Sequence, residues 1–304
     1  MAGSSAYGEQ KTPGVAVQEP RRQDIKHGWI WPVSRGVSGN VWGRVVLGLK
    51  FAVVNQKGGV GKTTTAVNIA ACLAAEGERV LLVDMDPQAN ATTGCGLDRK
   101  QVPTTIYDAL IGGAPMEEAV MPSPFSNLDV VPSTLDLAGA DIELISMISR
   151  ESRLKNALAG VEERYRWVFI DCPPALGLLT INVLTAADFA LIPIQCEYYA
   201  LEGISQLLRT IELVRRELNP RLEIAKVILT MFDYRTKLSQ DVVREVREFF
   251  GELVSPTVVP RNVRLSEAPS HGLPVIEYDP RSKGAESYRR LALEVMRFGQ
   301  ERSG

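Results

Sequence analysis

The stretch Phe51-Ala52-Val53-Val54-Asn55-Gln56-Lys57-Gly58-Gly59-Val60-Gly61-Lys62-Thr63-Thr64 decides how the chain is to be read. Its first five residues form a short apolar run of the kind a buried strand needs, and a helical pattern follows at Thr64–Glu76. Between them, glycines let successive backbone N–H groups turn inward around phosphate oxygens with no Cβ in the way. The N-terminus of the following helix adds the positive end of its dipole. In such a loop Gly58, Gly59, Val60, Gly61 and Thr64 supply the cradle, Lys62 reaches the β- and γ-phosphates, and the Thr63 hydroxyl is a Mg²⁺ ligand. A plain strand–helix connection needs none of Gly-Lys-Thr, and strand, glycines and helix agree here.

Outward from this loop, strand-like runs recur at Val80–Asp84, Leu128–Val131, Trp167–Asp171, Ala190–Ile194, Ala225–Thr230 and Thr257–Val259. Helix-like stretches lie at Ile142–Gly160, Ile204–Leu218 and Gln240–Phe250. Short continuous β-branched runs are the mark of strands buried on both faces. Their alternation with helices predicts an α/β fold, a doubly wound and mostly parallel sheet with helices on both faces. One domain is expected over residues 50–304. Residues 1–49 read as a disordered extension: they carry six basic against three acidic groups and three of the four tryptophans, with no sustained pattern.

Composition narrows the function. With 304 residues, 45% hydrophobic and 23% charged, the chain can bury its own core, and a net charge of −2 excludes a wholesale basic coat for nucleic acid. No run of 18 apolar residues predicts a membrane span, and no apolar segment near the start reads as a secretory signal. The four cysteines are far apart and only His27 and His271 are present, so a structural zinc site is not expected and a reducing cytoplasm is.

Asp84, Asp86 and Asp171 fall at or just past the C-terminal ends of predicted strands, the sheet edge where open α/β folds bind ligands. Three acids in one pocket repel one another unless a cation sits among them, and Mg²⁺ with a triphosphate suits that place. Each acid alone is equally readable as a helix N-cap.

One departure is informative. The usual loop has glycine where Gln56 stands, and a lysine, Lys57, follows it. This variant, K-G-G-x-G-K-[ST], resembles that of the ParA/MinD family of deviant Walker A ATPases. The likeness is greatest to the Soj-type ParA chromosome-partitioning proteins. It extends over Asp84-Met85-Asp86-Pro87-Gln88-Ala89-Asn90, Phe169-Ile170-Asp171-Cys172-Pro173-Pro174, Leu229-Thr230-Met231-Phe232-Asp233 and Pro260-Arg261-Asn262-Val263-Arg264-Leu265-Ser266-Glu267-Ala268-Pro269-Ser270-His271-Gly272.

The resemblance implies an ATP- and Mg²⁺-dependent hydrolase, slow without a partner. It casts Asp86 as the residue orienting the attacking water, Asp171 as the Walker B acid and Asp84 as support for the same shell. Lys57 would cross a homodimer interface to the partner copy's phosphates. Met231, Pro260 and Asn262 would frame the adenine, although a Met and a Pro near a loop also suit plain packing. Arg235 and Arg264 would bind DNA without sequence preference, each being equally readable as a solvated or ion-paired arginine. A ParB-type centromere-binding protein is the implied partner, and the nucleoid within the cytoplasm the implied location.

Two other readings compete. A MinD-like membrane-associated ATPase needs an amphipathic basic C-terminal helix. Tyr288, Leu291, Val295 and Phe298 do line one face there, but so would a helix docked on its own core, and Glu286 and Glu294 oppose an anionic surface. An iron–sulfur reductase or amidoligase is less favoured, because Cys172 and Cys196 lack a glycine-flanked cluster context.

Overall fold

The structure is a computed structural model that describes residues 48–201 and 203–303. The expected disordered extension, apart from Gly48 and Leu49, lies outside the described residues. Seven strands form one sheet: β1 (Leu49–Val53), β2 (Val80–Asp84), β3 (Met121–Pro122), β4 (Leu128–Val131), β5 (Trp167–Asp171), β6 (Phe189–Gln195) and β7 (Glu223–Thr230). Their order is β3-β4-β2-β5-β1-β6-β7, parallel throughout except for the two-residue edge strand β3. Most strand residues are buried, which is why the runs read as continuous apolar segments rather than alternating ones.

The helices are α1 (Lys62–Ala75), α2 (Asn90–Gly94), α3 (Met116–Ala119), α4 (Leu137–Glu143), α5 (Arg153–Leu158), α6 (Leu178–Ala186), α7 (Ile204–Glu217), α8 (Lys237–Phe250), α9 (Val263–Glu267), α10 (Val275–Tyr278) and α11 (Lys283–Ser303). The chain crosses from β1 through α1 to β2 in one direction along the sheet. It crosses from β5 through α6 to β6, and on through α7 to β7, in the other. Right-handed crossovers in opposite directions put the helices on opposite faces. Thus α1 packs with α2, α10 and α11 on one face, and α5, α6 and α7 pack in series on the other.

The core on the α1 face centres on aromatic rings: Phe51 stacks on Phe169 at 5.4 Å between centroids, and Phe189 meets Phe298 edge-on at 4.9 Å. The apolar face of α11 is spent on this core. Tyr288, Leu291 and Val295 are buried, and the Tyr288 hydroxyl lies 3.2 Å from that of Thr65 on α1. Glu294 is equally occupied, accepting from the Thr257 amide at 3.1 Å, from its hydroxyl at 2.6 Å, and from the Ser255 hydroxyl.

Three sequence expectations are corrected. Thr257–Val259 is not a strand: it runs beside β7 through single bridges at Val254 and Pro260, because Pro256 and Pro260 have no N–H and the Thr257 amide is taken by Glu294. The helix expected over Ile142–Gly160 is broken into α4, a 3₁₀ turn at Leu144–Ser146 and α5, with Ser149 left-handed at φ 52° between them. β1 begins at Leu49 and ends at Val53, two residues ahead of the predicted run. α6 and β3 had no periodic signal; α6 is buried nearly all round.

Phe51 touches Trp167, Phe169, Phe189 and Phe298 with nothing to fill its place. Phe51→Ala is expected to lower unfolding stability by about 3–5 kcal/mol, read by urea titration, while far-ultraviolet circular dichroism keeps its native shape.

Candidate functional site

Backbone and side chains both fix the loop after β1. Val54 N–H donates to Leu191 O at 3.0 Å, prolonging the sheet by one bond. Asn55 then turns the chain: its Nδ2 donates to Pro193 O at 2.7 Å while its Oδ1 accepts from the Lys57 amide at 3.0 Å. Pro193 is tolerated inside β6 because β1 pairs with β6 only as far as Leu191. Gly59 and Gly61 are left-handed, at φ 74° and 88°, where a side chain would be strained. No atom lies within 4 Å of where a Cβ on Gly58 or Gly59 would be, so a hollow faces the loop. Gly61 caps α1 without a side-chain acceptor, and the first α1-type bond is Thr65 N–H to Gly61 O at 2.9 Å. The amides ahead of it have no partner within the helix, which is the donor set an anion requires. The Thr230 hydroxyl, donating to Val60 O at 2.8 Å, ties the crest of the loop to the end of β7.

Lys62 is 6% exposed, with Nζ folded back 3.3 Å from Lys57 O. Burial pushes its pKa below the usual lysine value, opposed by the negative charge of Asp171. Asp171 faces it from the end of β5. Asp84 and Asp171 are register partners on β2 and β5, so the sheet itself brings the two carboxylates together.

They are satisfied very differently. Asp84 accepts from the Asp86 amide (3.1 Å), the Thr92 amide (2.8 Å) and the Thr92 hydroxyl (2.7 Å). Burial raises its pKa to about 6, and those hydrogen bonds keep it from rising further. Asp171 is fully buried, and neither of its oxygens has a hydrogen-bond partner. Burial first, and the Asp84 charge second, lift its pKa well above the carboxylate range. The Thr63 hydroxyl stands near enough to favour the charged form without completing a hydrogen bond. Asp86, just past β2 and 7% exposed, accepts from the Gln88 amide at 2.9 Å.

The other predicted residues fall in two groups. Met231 is left-handed at φ 53° and half-buried, and Phe232 N–H donates to Val259 O at 3.0 Å. The loop after β7 is thereby held beside buried Pro260 and the α9 cap Asn262, whose Oδ1 accepts from the Arg264 amide at 2.9 Å. Lys57 is half-buried on the loop, between Gln56 and the exposed Gly58.

Arg235 and Arg264 stand outside the cradle and are ion-paired. Arg235 is bidentate to Asp233 (2.9 and 2.8 Å), and Arg264 reaches Glu267 (2.8 Å) and Asp279 (3.2 Å). Sequence reasoning missed Asn55, Thr92 and Thr230. Each acts through one hydrogen bond to a distant strand or acid, and no spacing in the sequence marks such a contact.

A sequence-family profile described as an AAA domain matches residues 49–224. The chain is 57% identical to the sporulation initiation inhibitor protein Soj of Bacillus subtilis over 83% of its own length and all of that protein. It is 52% identical to the chromosome partitioning protein ParA of Myxococcus xanthus, over 84% of its length and 90% of that protein. Among solved structures, cobyrinic acid a,c-diamide synthase from Mycobacterium smegmatis with bound ADP and magnesium superposes with a TM-score of 0.72. It is 38% identical, covering 82% of this chain and 94% of that one. The Pyrococcus furiosus cell division ATPase MinD superposes at 0.67 with 27% identity, over 82% and 99% of the two chains. With the phosphate cradle and its flanking acids in one fold, and relatives this similar along almost their whole length, the chain belongs to the Soj/ParA family of chromosome-partitioning ATPases.

Proposed function

We propose that this chain is an ATP-driven switch that dimerises on ATP, holds DNA without sequence preference and releases it after hydrolysis. One observation carries the nucleotide part: the buried Asp171 carboxylate with neither oxygen hydrogen-bonded, beside Lys62 and Thr63 at the mouth of an anion cradle. A buried unpaired carboxylate is costly, and Mg²⁺ on a triphosphate is the charge that would relieve it. Thr63 and Asp171 would hold the ion, with Asp84 fixing the inner wall through Thr92. When bound, magnesium neutralises charge on the phosphate oxygens.

The chain's own groups supply the rest. The loop amides and Lys62 hold the β- and γ-phosphates, and Asp86 aligns a water for in-line attack. The new bond joins water oxygen to the γ-phosphorus as the bond to the β–γ bridging oxygen breaks. ADP leaves, and the water's proton ends on phosphate. Lys57 of a second copy adds a cation to the γ-phosphate, which makes dimerisation depend on ATP. Met231, Pro260 and Asn262 frame the base. Arg235 and Arg264, on exposed loops, trade their present carboxylates for DNA phosphates. A ParB-type centromere-binding protein is the partner that stimulates hydrolysis, and the nucleoid is the site of action. Residues 50–304 act as one domain.

The 57% identity to Soj favours this over the amidoligase reading, for which the solved neighbour stands at 38%. The burial of Tyr288, Leu291 and Val295 removes the apolar face that a C-terminal membrane anchor would use. Among the described residues no helix is long and apolar enough to cross a membrane.

Lys62→Ala is expected to abolish ATP binding in equilibrium dialysis; unchanged affinity would refute the cradle. Asp86→Ala should bind ATP yet turn it over about a hundredfold more slowly or worse, accumulating dimer in light scattering. A variant that remains monomeric with ATP would give Asp86 another role. Arg235→Glu and Arg264→Glu should each lose gel-shift binding to random DNA while keeping ATP-dependent dimerisation. Their melting temperatures should stay close to that of the parent, because exposed ion pairs contribute little. Lost stability together with lost turnover would make these arginines structural.

A further inference from the structure

From Gln101 to Ser149 the chain carries seven acidic residues and no lysine, arginine or histidine. The fold gathers much of this stretch on the β3–β4 side of the sheet, with α4 and α5 on the face opposite α1 and α11. Glu117, Glu118, Asp136 and Glu143 are exposed there, and among the described residues no ion pair engages any of them. The two nearest arginines are turned to their own chain. Arg150 pairs with Glu151 at 2.8 Å and donates to Ile145 O at 3.0 Å, and Arg153 donates to Leu110 O.

The same surface is apolar where a soluble face need not be. Ile142, Ile145 and Ile148 recur at a spacing of three and are 74%, 60% and 90% exposed. Single exposed aliphatics are ordinary, but a contiguous set rimmed by charge marks an interaction surface. Ile148 also lines a cavity of about 380 Å³ together with Ala109, Met116, Glu117, Arg153 and Ala157. Contacts bind this surface into one unit: the Tyr107 hydroxyl donates to Glu143 at 2.9 Å, and the Arg153 contact fastens α5 to the turn at Leu110.

We propose that this face docks a short amphipathic, lysine- and arginine-rich helical segment of a protein partner. Its apolar side would seat on Ile142, Ile145 and Ile148, with one large side chain entering the cavity, and its cations would meet Glu117, Glu118 and Glu143. Charge complementarity selects this occupant. Nucleic acid and anionic lipid are repelled by unpaired carboxylates, and a second copy meeting the same face about a two-fold axis would set acid against acid. Helix-in-groove recognition reads anchors at i, i+3 and i+4 spacing, which matches the three isoleucines. The inference deepens the partner reading above and rests on it. Its test reads binding directly, so a failure of either can be told apart.

The probe is a fluorescein-labelled 18-residue helix of leucine and lysine in amphipathic spacing, titrated with the full chain at about 0.15 M salt and followed by anisotropy. Saturable binding is expected, weakened at least tenfold by Ile148→Asp and by the double change Glu117→Lys, Glu118→Lys. Exposed Glu212→Lys on α7, as a control of equal charge change per site, should leave it within twofold. Ile148 is 90% exposed, so its substitution leaves the core intact. Three results overturn the proposal: no binding, equal loss with Glu212→Lys, or peptide binding that survives Ile148→Asp while ATP-dependent dimerisation is lost. The last would make the face an interface between copies. Normal peptide results beside absent ATP-dependent DNA binding would strike the switch reading alone.

Discussion

A buried carboxylate with no hydrogen bond, set against a buried lysine, is the interaction to which the rest of this molecule is fitted. Leaving one buried polar group unsatisfied costs about 1–3 kcal/mol and more if it is charged, so Asp171 persists only because the surrounding structure holds it in place. β5 lies between β2 and β1 in the middle of the sheet, and every residue of it is buried. The strand that ends in Asp171 is therefore among the least free to move. The tension between Asp84, Asp171 and Lys62 is stored where a triphosphate and its cation would release it, and ligand binding becomes a stabilising event for the whole domain.

Two carboxylates that the sheet places side by side are told apart by one threonine. Thr92 gives Asp84 both its amide and its hydroxyl, and the hydroxyl oxygen in turn accepts from the Ser133 amide at 3.0 Å. Asp84 is thereby committed to the protein and Asp171 left to a ligand, although both close a parallel strand at the same register. The acid that acts and the acid that supports differ in their neighbours rather than in their position.

Much of this was legible in the chain. The glycines and Gly-Lys-Thr at 58–63 specify a cradle because few backbones other than a strand–turn–helix can use them. The continuous runs at Val80–Asp84 and Trp167–Asp171 gave strand bounds that the structure reproduces. What stayed hidden depends on distant partners. α6 is apolar on every side, so no period distinguished it from a strand or a loop. The break at Ser149 lies in a stretch whose helical spacing continues across it. Thr257–Val259 has strand-like composition, but Glu294, 37 residues further on from Thr257, takes the amide a ladder would need. The pairing of Arg235 with Asp233 and of Arg264 with Glu267 and Asp279 is likewise a matter of which rotamers meet.

The packing of α11 on α1 has a consequence for the order in which the protein is made. α1 begins at Lys62 and α11 at Lys283, so during synthesis the phosphate loop and its helix leave the ribosome long before their cover exists. Until Tyr288, Leu291 and Val295 arrive, the buried face of α1 stays open to water, and until Glu294 arrives the Ser255–Thr257 segment leading to Pro260 has no anchor. A nascent chain of this kind exposes an apolar groove beside an already formed anion cradle, a condition in which chaperone protection counts most.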